Sequence, residues 1–366
     1  MLHWQTYHHL FFDDHMNSIW DEDRTLHLWL DIEKTIAKHQ AQLGLISADT
    51  ALKLSQLKAE YLDRQALQED MKLTGRPILG LVKQLKNALP KAQQSQVHFG
   101  LTTQDIMDTC TAIQLKRSLE HIKQTIRKLL TTIDPLVTSS SSITAIARTN
   151  GQYAMPMQLS QKFTLWQAEL QRRLESINHV QSHFLWLQLS GSVGDSNAFG
   201  AHGKQLRDNV ASELGLSVIE PHWQNARDGI AEIINSIGLL CSTLTKIAHN
   251  INLLSSSDIA EFQEVIEKGK GASSSMPHKR NQRNSEMAEA ISRLARQHCE
   301  QMNELTLHQH QRQGGVWISE WYLIPQIFML TSGALKWINS TFCELEINHQ
   351  QVKSNLNRFD LEKAQR

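Results

Sequence analysis

Residues 269–282 read Gly-Lys-Gly-Ala-Ser-Ser-Ser-Met-Pro-His-Lys-Arg-Asn-Gln. The glycines and serines make a loop whose hydroxyls and backbone amides can surround an anion. Lys279 and Arg280 add positive charge beside it, and Asn281 adds amide donors. A helix is predicted to start just beyond, near Asn284 and Ser285, both good N-cap types, so that its positive end faces the loop. By composition alone, the same residues would also make a flexible basic surface loop in front of a helix.

Outward from this loop, both flanks are helical. Upstream, Ile233, Ile237, Leu240, Leu244, Ile247, Ile251 and Leu254 follow the i, i+3, i+4, i+7 spacing of one helical face. Downstream, Met287, Ile291, Leu294, Cys299, Met302 and Leu305 do the same. Two further patterns run from Ile106 to Leu129 and from Leu159 to Phe184. Helices of such length are shielded within one chain only when they lie side by side. The predicted fold is therefore an all-α, long-helix bundle. Apolar residues off the main faces, such as Leu239 and Leu253, predict cover from another subunit. Three polar stretches interrupt the helical texture, at 97–108, 144–156 and 267–284, and such segments between rigid helices are where function concentrates. The serine run 139–142 reads as a solvated connector.

Composition narrows the partners. Lys plus Arg and Asp plus Glu number 37 each, so a net charge of zero gives no support to a nucleic-acid or membrane-surface partner. The four cysteines form no CxxC pair, which points away from a disulfide framework and towards a reducing compartment. No secretory leader and no run of 18 apolar residues is present, so a cytoplasmic protein is expected. His308 and His310 are two residues apart and on a helix would point away from each other, so no metal site is expected, and no cofactor either.

Residues 97–109, Val-His-Phe-Gly-Leu-Thr-Thr-Gln-Asp-Ile-Met-Asp-Thr, carry a capping box in Thr102 and Asp105 that places a helix start there. The hydroxyls of Thr102 and Thr103 at that start could hold a carboxylate beside the free amides. An ordinary capped helix with a satisfied His98 fits the same residues.

The order of residues in these segments resembles the fumarase/aspartase lyase superfamily. Residues 272–282 are similar to its Gly-Ser-Ser-x-Met-Pro-x-Lys-x-Asn-Pro loop, with Ala272 for the first Gly and Gln282 for the final Pro. Residues 98–109 are similar to His-x-Gly-x-Thr-Ser-x-Asp-x-x-Asp-Thr, with Thr103 for Ser. Residues 220–232 and 308–321, the latter with Trp317 and Trp321, look like the 3-carboxy-cis,cis-muconate cycloisomerase branch, and the resemblance covers roughly residues 10 to 345. Adenylosuccinate lyases lack the paired tryptophans.

The resemblance implies a helical N-terminal domain over 1–95, a central bundle over 96–350 and a short tail over 351–366, with the C-terminal domain of many relatives largely absent. It further implies a homotetramer whose active sites combine segments of three subunits. The implied chemistry is a carbanion beside a carboxylate, stored as an aci-carboxylate. Lys279 and Asn281 would hold that charge, helped by Thr102 and Thr103. Ser273, or its neighbour Ser274, would move the proton, and His98 would orient substrate or relay a proton. Residues 147–156 align with Gly-Arg-Thr-His-Gly-Gln-His-Ala-x-Pro, which adds Arg148, Asn150 and Gln152 as substrate-binding positions, together with Met276 of the loop. Asn150 and Tyr153 stand where relatives carry a histidine or tryptophan and a histidine. Asn150 cannot shuttle a proton near neutral pH, and Tyr153 could do so only with a lowered pKa. Three readings follow: a cycloisomerase-like lyase of a polycarboxylate, an adenylosuccinate-type C–N lyase, or a weakly catalytic relative with an assembly role. Against the second, the first thirty residues offer only Arg24 as a cation for a phosphate.

Overall fold

The structure is a computed structural model that describes residues 4–265, 275–276 and 279–358. The chain enters through α1 (Gln5–Phe11) and α2 (Asp14–Ile19), then α3 (Glu22–Gln42), α4 (Ala48–Ser55), α5 (Arg64–Thr74) and α6 (Pro77–Asn87). Most of these starts are written locally. The side chains of Asp13, Asp21, Ser47 and Asp63 each accept a backbone amide of the first turn. Pro77 opens α6 where a missing N–H costs nothing.

Five long helices form the body. α7 (Thr103–Ser139) runs down, and a hairpin of β1 (Thr144–Thr149) and β2 (Gln152–Gln158) turns the chain. α8 (Ser160–His183) runs back up, followed by α9 (Gly203–Leu214). α10 (Asp228–Leu254) runs down and leads into β3 (Phe262–Glu264). α11 (Arg283–Glu304) runs up and α12 (Gly314–Cys343) down, before β4 (Leu345–Ile347), which pairs antiparallel with β3, and α13 (His349–Asn357). Side-chain pairs fix the directions: Glu169 with Thr243 and Ser176 with Ser236 make α8 antiparallel to α10. Asn252 with Glu289 and Asn235 with Asn303 do so for α10 and α11, whereas His121 with Ser332 and Thr132 with Asn339 make α7 parallel to α12. Leu119, Ile126, Leu170, Ile237, Leu244, Ile291 and Ile327 are fully buried between them.

The four helices with a clear apolar stripe appear where the spacing placed them. α12 carried no such signal because Leu330, Thr331, Ser332, Gly333, Ala334 and Leu335 are all buried, which leaves no wet face to set a period. The expected long-helix bundle is present, with two short antiparallel strand pairs added at its lower end. The serine run is only partly a connector: α7 continues through Ser139, and Ser140 is fully buried with its hydroxyl on the Leu136 carbonyl. α10 is long and apolar enough, by length and composition, to cross a membrane, with mean hydropathy 1.3 in its central window. Here it packs against α8, α11 and α12, with most of that window buried. Leu239 and Leu253, on its outer side, remain about half exposed.

Candidate functional site

At the upper end, the start of α7 gathers the residues of 97–109. His98 adopts φ 59°, in the left-handed region, and its Nδ1 lies 2.6 Å from Glu33 Oε1 of α3. Burial pulls the His98 pKa down, but the charge and hydrogen bond of Glu33, with Asp105 further off, outweigh it and leave the imidazole raised above its usual value. Thr102 is the N-cap of α7 and Thr103 its first residue. The capping box is formed, with the Thr102 amide donating to Asp105 at 2.9 Å. Asp105 also accepts the amides of Ser190 (2.9 Å) and Gly191 (3.1 Å), so the loop after α8 is pinned to the start of α7. Burial raises the Asp105 pKa, and these three amides pull it back.

Beneath this surface lies a buried ion triad. Arg227 Nη1 is 2.7 Å from Asp108 Oδ2, and its Nε is 2.9 Å from Glu320 Oε1, with a second contact from Nη2 to Oε2. Trp317 Nε1 donates to Asp108 at 3.0 Å, Gln104 Nε2 donates to the same carboxylate at 2.8 Å, and the Trp223 ring lies 4.6 Å from the guanidinium. The motif residues of 220–232 and 308–321 therefore tie α7, α10 and α12 together. Arg312 stands at the rim, 3.4 Å from Thr102 Oγ1. His308 and His310 are not on a helix, as the spacing argument assumed. They lie in the turn before α12, which begins at Gly314. Among the described residues no group of three metal-ligating side chains occurs.

The other predicted residues lie at the lower end. Asn150 and Gly151, with φ 52° and 77°, are the two turn residues between the paired Thr149 and Gln152. Both positive φ values are what a twisted two-residue hairpin turn requires, and Asn-Gly supplies them at least strain. Tyr153 is partly exposed, with the Arg148 guanidinium 5.3 Å from its ring centre. Arg148 itself is held by Glu261 through a fork of 2.7 and 3.2 Å, and the fully buried Glu261 also accepts Asn355 Nδ2 at 2.9 Å. Lys279 is exposed, its amide bonded to the Met276 carbonyl at 3.0 Å, and Asn281 is half-buried. Ser273 and Ser274 lie outside the described residues.

The start of α11 differs from expectation. The helix begins at Arg283 with Gln282 as its N-cap, and Asn284 and Ser285 are buried inside the first turn. Their amides donate to Glu264 at 2.9 and 2.8 Å, and the Ser285 hydroxyl joins at 2.7 Å. The positive end of this helix is thus answered by Glu264 of β3, so the charge of the neighbouring loop rests on Lys279 and Arg280 instead. Neither Glu33, Glu261 nor Glu264 was legible as a partner, because each meets its group across a long stretch of chain.

The two ends cannot meet within one chain. His98 and Thr102 precede α7, whereas Arg148 to Tyr153 follow it, and 37 helical residues span about 55 Å. Lys279 and Asn281 share the lower end, since the antiparallel α10 and α11 join there.

A family described as lyase matches residues 12–297. The chain is 31% identical, over 93% of its length and 76% of the relative's, to 3-carboxy-cis,cis-muconate cycloisomerase of Bradyrhizobium diazoefficiens. It is 28% identical, over 93% and 74%, to adenylosuccinate lyase of Methanocaldococcus jannaschii. Among solved structures it resembles the 3-carboxy-cis,cis-muconate lactonizing enzyme from Pseudomonas putida, with a TM-score of 0.89, 28% identity, and 96% and 80% of the two chains covered.

Proposed function

The chain belongs to this lyase family, within the fumarase/aspartase superfamily of enzymes, and we propose that it is a lyase or cycloisomerase of a polycarboxylate, 3-carboxy-cis,cis-muconate or a close analogue. The observation that carries the choice of branch is the paired-tryptophan stretch of α12. Trp317 and Trp321 stand 4.9 Å apart, edge to face, and Trp317 is locked to the Asp108–Arg227–Glu320 triad under the carboxylate-ready start of α7.

In this reading one carboxylate oxygen of the substrate bonds to an alkene carbon. The π electrons move to the neighbouring carbon and delocalise into its own carboxylate as the aci-carboxylate, and a proton delivered to that carbon gives the lactone. The difficult charge is that of the intermediate, which fixed donors stabilise best. Lys279 and Asn281 supply them, with Thr102 and Thr103 and the amides at the start of α7. Ser273, or Ser274, moves the proton. Serine is weak at its free pKa and needs the cations of the loop beside it. His98, held by Glu33, orients substrate or relays a proton, Tyr153 is the candidate catalytic group in place of the relatives' histidine, and Met276, Asn150 and Gln152 line the remaining wall. Arg148 acts there through its fork to Glu261, which holds the hairpin that presents Asn150.

The distance of about 55 Å between the two ends supports an assembly that builds each site from several copies, which we read as a homotetramer acting on a small molecule in the cytoplasm. The adenylosuccinate-type reading is kept by the archaeal relative. An ultraviolet assay of the purified protein against 3-carboxymuconate, its lactone and adenylosuccinate decides between them. Turnover of carboxymuconate that disappears in Ser273→Ala is expected. Cleavage of adenylosuccinate alone would move the chain to the other branch.

A further inference from the structure

Arg76 and Arg312 converge on one indole. Arg76 lies between α5 and α6, and its guanidinium carbon is 5.9 Å from the ring centre of Trp317 and 6.0 Å from that of Trp321. That of Arg312 is 5.8 Å from the same Trp317 ring. Each also marks a helix start. Arg312 Nη1 is 3.4 Å from Thr102 Oγ1 and from Gln104 Oε1, at the head of α7. Arg76 Nη2 would stand 3.3 Å from a Cβ built on Gly314, the first residue of α12.

Two guanidinium groups and the positive ends of two helices therefore lie around one indole. Among the described residues no carboxylate stands within ion-pair distance of either arginine. The first turn of α12 contains no acidic residue, and its N-cap Gln313 makes no side-chain cap. Asp105, in the first turn of α7, is engaged by three backbone amides. Asp108 and Glu320, under the indole, are both gripped by Arg227. Among the described residues Arg76 and Arg312 donate only to neutral oxygens, the Gly75 carbonyl for Arg76 and Thr102 and Gln104 for Arg312. Both forks are therefore open to an anion, and the planar fork of arginine matches a carboxylate.

We propose that Arg76 and Arg312 form a subsite for a substrate carboxylate remote from the reacting carbon, which makes this centre selective for tricarboxylates over dicarboxylates. The proposal rests on the polycarboxylate reading and adds its specificity residues. Arg312 reaches the Thr102 hydroxyl from the turn before α12, and Arg76 stands on the segment before α6, so the pair extends the anion site at the head of α7 towards a second carboxylate.

The test is titration calorimetry of the intact protein with propane-1,2,3-tricarboxylate, pentanedioate and AMP, beside turnover of 3-carboxy-cis,cis-muconate. Arg76→Met and Arg312→Met are each expected to weaken tricarboxylate binding by about 10- to 100-fold, the worth of a charged hydrogen-bond pair, while leaving pentanedioate unchanged. Arg76→Lys, which keeps charge without the fork, falls between, and circular dichroism confirms that each variant is folded. Equal losses for both acids, tighter binding of AMP than of the tricarboxylate, or no binding to the native protein would each overturn the subsite. Turnover of carboxymuconate with an unchanged KM in Arg76→Met would also overturn it, and the catalytic reading would stand. Tricarboxylate binding that depends on Arg76 without any turnover would sustain the subsite while removing that reading.

Discussion

His98 shows how much a single residue depends on what lies far away in the chain. Its position before a capped helix was plain from residues 97–109, yet its charge state is set by Glu33, 65 residues earlier, at 2.6 Å. Because the net shift raises its pKa above about 6.5, the protonated form favours the fold. That contribution is complete below about pH 6.5 and is lost as pH rises through the raised folded value. Glu33→Gln is expected to lower the His98 pKa and to flatten the fall in melting temperature above pH 6.5, with nuclear magnetic resonance titration of the imidazole as the check. An unmoved titration would show that Glu33 does not control it. Asn150 makes the complementary point. It was read as the loss of a histidine, whereas its φ of 52° beside Gly151 makes it a turn former. Asn-Gly is a strong hairpin signal, but flanks without clean alternation hid it.

Among the long helices, α12 carries the least periodic sequence, yet its side chains tie it to α7, α10 and α1. Arg227 joins it to α7 and α10 through two carboxylates that, among the described residues, have no other cation in reach of an ion pair. Arg227→Met is expected to cost about 3–5 kcal/mol, because Asp108 and Glu320 would stay buried without their partner. The melting temperature should fall sharply, and adding Asp108→Asn and Glu320→Gln should recover part of it. Further along the helix, a Cβ on Gly333 would stand 1.9 Å from the Phe11 carbonyl oxygen. Nearby, Trp337 Nε1 and Lys336 Nζ donate to the Leu10 and His9 carbonyls. Gly333→Ala should therefore push α1 off the bundle, at a cost of about 1–3 kcal/mol for overpacking. Faster proteolysis before residue 14, with the rest of the chain still protected, would register this; an unchanged digestion pattern would contradict it. The sequence could not reveal this contact, since a glycine within a helix signals only reduced propensity.

For the whole molecule, the length of α7 governs the outcome. It holds the His98 end and the Lys279 end about 55 Å apart, so the proposed centre, which uses both, needs more than one copy. Two inactive variants, His98→Asn and Lys279→Ala, should recover activity when unfolded and refolded together, because some mixed sites carry both native residues. Persistent inactivity of a mixed, folded assembly would argue for a site within one chain. The outward leucines of α10 give a second check. Leu239 and Leu253 are 54% and 51% exposed, and burying the remaining half of each against a neighbouring copy would contribute about 0.8–1.5 kcal/mol. Leu239→Glu with Leu253→Glu should dissociate the assembly in sedimentation, and an unchanged mass would place the interface elsewhere.

The sequence by itself determined four of the five long helices and the capped start of α7. These rest on local physics: a 3.6-residue period and a capping box. Only the tertiary structure decided which groups face one another. It turned the positive end of α11 to Glu264, gave Arg148 to Glu261, set Glu33 on His98 and brought Arg76 and Arg312 each to the Trp317 ring. Each of these contacts joins groups remote in the chain, and its strength depends on burial and distance, which only packed helices define.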